Sequence, residues 1–91
     1  MDYDYDYHIK KDGVDFYAPS TRKGKKYDAY VNGKKYAFGS IYYQQYHDKL
    51  KYYKDLDHHD EQRRYNYIRR HIHDDLDHYS PGYFSMFYLW N

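Results

Sequence analysis

Residues 26–39, "KYDAYVNGKKYAFG", set Asn32-Gly33 between two runs rich in aromatic and β-branched residues. Asn-Gly suits a two-residue turn in which both central residues need positive φ, and it is the strongest short-range hairpin signal in a sequence. Counting outward from the turn pairs Val31 with Lys34, Ala29 with Tyr36 and Tyr27 with Phe38. Tyr27, Ala29, Val31, Tyr36 and Phe38 then share one face, so the stretch predicts a hairpin over about 27–38 with an apolar side.

The same reading extends towards the N-terminus. In "MDYDYDYHIKKDGVDFY", Tyr3, Tyr5, Tyr7 and Ile9 alternate with Asp2, Asp4, Asp6 and His8. Period-two alternation marks a half-buried strand, and Asp12-Gly13 offers a second tight turn. Pairing outward sets Lys11 against Val14, Lys10 against Asp15, Ile9 against Phe16 and His8 against Tyr17. Ile9 and Phe16 fall on the face of the tyrosine row, so turn and register agree on a hairpin over about 3–17. The competing reading is a loose Asp-Tyr tail that mimics alternation. Between the hairpins, "APSTRKGKK" is a basic loop carrying Arg22, Lys23, Lys25 and Lys26.

After Gly39 the period changes. Ser40 is a candidate cap, and Tyr42, Tyr46, Leu50 and Tyr53 sit at helical spacing, which predicts a helix over about 41–55. A second helix is expected over about 58–73. Asp57 is its candidate cap, Asp60 and Glu61 lie in its first turn, and Arg69, Arg70 and His71 come later, an order that suits the helix dipole. Tyr65, Ile68, Ile72 and Leu76 are its expected buried stripe. Ser80-Pro81-Gly82 breaks the chain, and "YFSMFYLW" closes it as a short strand or as an apolar segment over the core. The whole reads as one small α+β domain: two hairpins, two helices and an aromatic C-terminal segment.

Composition makes that core aromatic. Of 91 residues, 17 are Tyr, 4 are Phe and one is Trp, against only ten Ile, Leu and Val. A buried tyrosine contributes much apolar area, but its hydroxyl needs a partner or water. The net charge of +1 removes any global field for nucleic acid or membrane. There is no cysteine, so no disulfide framework, and no apolar run approaches the roughly 20 residues of a membrane span. The acidic start lacks the apolar region of a signal peptide, so a soluble intracellular protein with no membrane contact is expected.

Three blocks in order, "KKYDAYVNGKKYAFG", "HHDEQRRYNYIRRH" and "SPGYFSMFYLW", resemble a family of short, largely uncharacterised proteins. They are encoded by large DNA viruses of algae and protists, with related sequences in some phages. The resemblance runs from about Lys25 to Trp90. It rests on Phe38 and Gly39; His59, Asp60, Arg63, Arg64 and Tyr67; Arg70 and His71; and Ser80, Gly82, Phe84, Ser85, Leu89 and Trp90. Residues 1–24 lie outside it, and the tyrosine content exceeds the family pattern. The resemblance implies a viral origin, a compact α+β module and a place in the host cell cytoplasm or the virion. It implies no established activity.

Function is then read from constellations. No nucleophile elbow, phosphate loop or zinc-protease helix is present, and Ser20, Thr21, Ser40, Ser80 and Ser85 lack a catalytic context, so no enzyme is expected. His58, His59, Asp60, His71, His73, Asp74, Asp75, Asp77 and His78 are dense, but no two histidines stand four apart on a helix, so no metal and no cofactor are expected. Arg63, Tyr67 and Arg70 fall at i, i+4 and i+7, with Arg64 and His71 beside them. They either grip an anionic partner, with Arg22, Lys23, Lys25 and Lys26 extending the patch, or bridge to carboxylates and rings of the same chain. Tyr83, Phe84, Phe87 and Trp90 either close the core or dock on another subunit. The leading expectation is a non-enzymatic viral interaction or structural protein, a minor virion component, that binds another viral protein or itself. Its alternative is a nucleic-acid-binding module.

Overall fold

A computed structural model describes residues 4–91. Tyr3, at the start of the expected first strand, lies outside the described residues. Four strands, β1 (Tyr7–Lys11), β2 (Val14–Ala18), β3 (Lys25–Val31) and β4 (Lys34–Ser40), form one antiparallel meander in chain order. The two hairpins are thus halves of a single sheet, joined by pairing of Asp15, Phe16 and Tyr17 with Tyr30, Ala29 and Asp28. Both turns take positive φ at the expected positions, Asp12-Gly13 and Asn32-Gly33. Every expected pair is present, including Ile9 with Phe16, Tyr27 with Phe38 and Ala29 with Tyr36.

The alternation of the opening repeat stops short of its start. Strand β1 begins at Tyr7, and the tyrosines before and after the bend at Asp6 point to opposite sides. The Tyr7 hydroxyl donates to the Leu50 carbonyl on the core side at 2.6 Å. Tyr5 instead stacks near Tyr17 and donates to Asp28, 2.5 Å away. Asp28 is the reason. It is fully buried in β3 and also accepts from the Ser20 hydroxyl and from the amide and hydroxyl of Thr21, so Tyr5 completes the shell of a buried carboxylate.

Residues 41–55 are not a helix. They form an irregular segment, followed by a single 3₁₀ turn at Lys54–Leu56. Two buried polar side chains take the backbone groups that a helix would need. Asp48 accepts from the amides of Leu50 and Tyr53 at 2.8 Å each and from the hydroxyl of Tyr27. Gln45 donates to the Tyr53 carbonyl and to Asp57, while its own amide bonds the Leu56 carbonyl. Lys51 adopts positive φ. The supposed stripe is split accordingly: Leu50 is fully buried and Tyr42 is 71% exposed.

Helix α1 spans Glu61–His71, shorter than expected, with Asp60 as its cap accepting from Gln62 and Arg63 amides. Asp57 cannot cap, because its carboxylate already holds Gln45 and the Asp48 amide. The inward face of α1 is Arg64, Tyr67, Ile68 and His71; Tyr65 and Ile72, expected inside, are more than half exposed. The closing segment is helix α2 (Pro81–Tyr88), capped by Ser80, whose hydroxyl accepts from the Tyr83 amide, with Pro81 at the first position. It lies against β4. Phe84, Tyr88 and Leu89 join Val14, Phe16, Tyr27, Phe38 and Leu50 in the core. Gly39 permits that approach: a Cβ there would stand 2.9 Å from Leu89 Cδ1, at a positive φ.

Asp48 ties this core to the segment that covers it. Replacing it by alanine strands the Tyr27 hydroxyl and two amides in a buried site, and an unmade buried hydrogen bond costs about 1–3 kcal/mol. Asp48→Ala is therefore expected to lower unfolding stability by about 3 kcal/mol or more, with Asp48→Asn losing less because it keeps one acceptor. A urea melt of Asp48→Ala within about 0.5 kcal/mol of the parent would contradict this.

Candidate functional site

A cleft of about 490 Å³ opens between α1, the end of β4, the segment that follows it and the end of α2. Arg63, Asn66, Tyr67 and Arg70 form its α1 wall, Ser40, Tyr43 and Gln44 face them, and Ser85, Leu89 and Trp90 make its floor. The helical spacing of Arg63, Tyr67 and Arg70 brings all three to one place, as the sequence suggests. Trp90, from the far end of the chain, joins them by stacking on Tyr67 with centroids 4.2 Å apart and planes 3° from parallel. Burial pushes the Tyr67 phenol above its usual range.

The charges in the cleft are unevenly matched. Arg63 donates to the neutral carbonyl of Gln44 at 2.8 Å. Arg70 has no ion-pair partner among the described residues. No Asp or Glu belongs to the lining. Arg64 turns away from this role: it donates to the Trp90 carbonyl, lies over the Tyr46 ring and approaches Glu61, so it fastens α1 to the chain end. His71 is held by Asp74 at 2.8 Å and lies 4.3 Å from the Tyr67 ring, which therefore already has two ring neighbours. Base stacking on Tyr67 is not open.

The basic loop divides in the same way. Arg22 and Lys23 are exposed, and Lys25 is half-buried. Gly24 abuts the ring of Tyr42, and its carbonyl accepts from the Ile41 amide, so the loop borders exposed Tyr42, the chain neighbour of Tyr43 in the cleft lining. Lys26 does not extend the patch. It is 2% exposed and its ammonium donates to the Tyr43 carbonyl. Strand alternation sends it to the face opposite Tyr27, where the following segment covers it. The C-terminal aromatics also separate: Phe84 is core, Tyr83 and Phe87 border a smaller hollow of about 290 Å³ with Lys11, Asp12 and Lys49, and Trp90 floors the cleft.

No family model, curated protein or solved structure matches the chain. Its chemistry is therefore argued from its own residues, and a second constellation emerges that spacing alone did not suggest. His47, Asp57 and His59 bring one ligand atom each to within 4.8 Å of one another, the one such group among the described residues. The expectation of no metal did not consider His47 or Asp57. It weighed histidines along helices, whereas this group joins two loops through a parallel bridge between Gln45 and Asp57. Of the dense His and Asp residues of 71–78, His71 pairs with Asp74 and His78 with Asp75.

Burial lowers the Lys26 pKa from 10.5 to about 8, against the opposing pull of Asp48 and Asp57. A depressed lysine pKa means that the unfolded chain binds more protons between the two values, so this group adds stability as pH rises through about 8 towards 10.5. Tyrosines whose phenols are raised by folding, Tyr27 and Tyr88 among them, act in reverse above about pH 10. The urea midpoint is expected to rise between about pH 7.5 and 9 in the parent and to stay flat in Lys26→Met. A parallel rise in both proteins would exclude Lys26 as its source.

Proposed function

We propose that this chain is a non-enzymatic interaction protein of the viral family its sequence blocks resemble, and that the α1 cleft is its contact site. The partner is another viral protein, at the virion or in the host cytoplasm, presenting an acidic group to Arg63 and Arg70. One observation carries the reading: two guanidinium groups that have no carboxylate partner among the described residues line a cleft together with Tyr43, which is 73% exposed. Arginine and tyrosine are enriched at protein interfaces and among their hot spots, because they offer large area and directed hydrogen bonds. An anion entering the cleft meets charge that the fold leaves unneutralised.

A nucleic-acid reading stands second. It is favoured by the contact between the Arg22–Lys25 loop and Tyr42, the chain neighbour of Tyr43 in the cleft lining. Burial of Lys26 and occupation of the Tyr67 ring weaken it, as does the net charge of +1.

Salt separates the two. Phosphate binding releases counterions, with a slope near −0.9 per phosphate on duplex DNA, whereas apolar burial is not screened. Co-purification of a viral protein from infected cells is expected to survive about 150 mM salt and to be lost in Arg63→Ala/Arg70→Ala, whose circular dichroism stays unchanged because both side chains are exposed. Mixed-sequence DNA and RNA are expected to bind weakly or not at all at that ionic strength. Sub-micromolar binding to either, abolished by the double variant, would move the nucleic-acid reading to first place.

A further inference from the structure

The geometry of His47, Asp57 and His59 points to a site for one divalent transition-metal ion, of which we propose zinc, with one coordination position left open. His47 Nδ1 and His59 Nε2 stand 3.0 Å apart. Asp57 Oδ2 is 3.5 Å from the first and 3.7 Å from the second. Zinc takes nitrogen and oxygen ligands at about 2.0–2.2 Å, which sets tetrahedral neighbours about 3.3–3.5 Å apart and octahedral neighbours about 3 Å apart. The triangle has the size of one tetrahedral face, so its three atoms already surround the place an ion would take.

The carboxylate is built for that role. Its side chain is only 6% exposed. Asp57 Oδ1 accepts from the Gln45 amide nitrogen at 2.6 Å and from the Asp48 backbone amide at 2.8 Å, so Oδ2 is turned towards the two imidazoles. Such outer bonds are what orient a metal-ligating carboxylate. The loops are held as well. The His47 amide bonds the Leu89 carbonyl, the His58 and His59 amides bond the Gln45 and Tyr46 carbonyls, and His59 is kept at a φ of +52°, a region non-glycine residues seldom adopt. The imidazoles themselves are 48% and 60% exposed, which leaves the fourth position to water or to a donor from solution.

The test uses the full chain, stripped with chelator and titrated with zinc chloride by calorimetry, and with cobalt(II) chloride by visible absorption. One zinc per chain is expected, with the intense visible bands of tetrahedral cobalt. His47→Ala and His59→Ala are each expected to weaken binding at least tenfold, while His73→Ala and His78→Ala bind as the parent does. Should His47→Ala fail to fold, His47→Gln supplies the same loss of a ligand with the volume kept. Equal binding by the His47 and His59 variants, binding lost in the His73 or His78 variants, or no saturable binding at one ion per chain would overturn the assignment.

Discussion

The fold depends on giving the hydroxyls of its buried tyrosines acceptors. A core with so few aliphatic residues gains its apolar area from rings, and each tyrosine brings a polar atom that is costly to leave unpaired. In the core Asp48 accepts from Tyr27, Asp12 from Tyr88 and the Leu50 carbonyl from Tyr7, and on the other side of the sheet Asp28 accepts from Tyr5. The many aspartates are therefore less a charge field than a set of acceptors. Because each pair joins residues far apart in the chain, the same bonds that satisfy hydroxyls also close the tertiary structure. The Tyr88–Asp12 bond ties α2 to the first turn, and Tyr27–Asp48 ties the irregular segment to β3.

That dependence explains which parts of the fold were legible in the sequence. Hairpins are local: Asp12-Gly13 and Asn32-Gly33 set the register, and alternation only has to agree with it. Residues 41–55 show the limit. Tyr42, Tyr46, Leu50 and Tyr53 have helical spacing, but spacing says nothing about Asp48 and Gln45, whose side chains find backbone partners once the sheet is there to bury them. Tertiary burial of two polar residues overrides a local pattern. The C-terminal helix had a readable signal in Ser80-Pro81, a cap followed by proline at the first helical position, which also reads as a chain break.

The candidate sites divide along the same line. Arg63, Tyr67 and Arg70 share a helix face, so their convergence follows from period alone. Trp90, Gln44 and Ser85 reach them only through the packing of α2 and the irregular segment, which no spacing encodes. The basic run Arg22–Lys26 has the composition of a loop, and composition alone does not show where the next strand starts. In fact β3 begins at Lys25, alternation sets Lys26 on the face opposite Tyr27, and the segment after β4 covers it there. His47 sits in the segment whose helical spacing hides its loop geometry. Its partners, Asp57 and His59, come from the next loop.

Both candidate sites sit on the same stretch of irregular backbone, and the reason is energetic. Residues 41–60 cannot stabilise themselves by helix or strand ladders, so buried Gln45, Asp48 and Asp57 hold them by hydrogen bonds. Polar groups spent on holding backbone fix the positions of their neighbours. Gln44, beside buried Gln45, meets Arg63 in the cleft. His47, beside buried Asp48, meets His59. A loop held this way combines exposed, chemically varied side chains with a defined geometry, the combination that binding sites require and that a regular helix over the same residues would not provide.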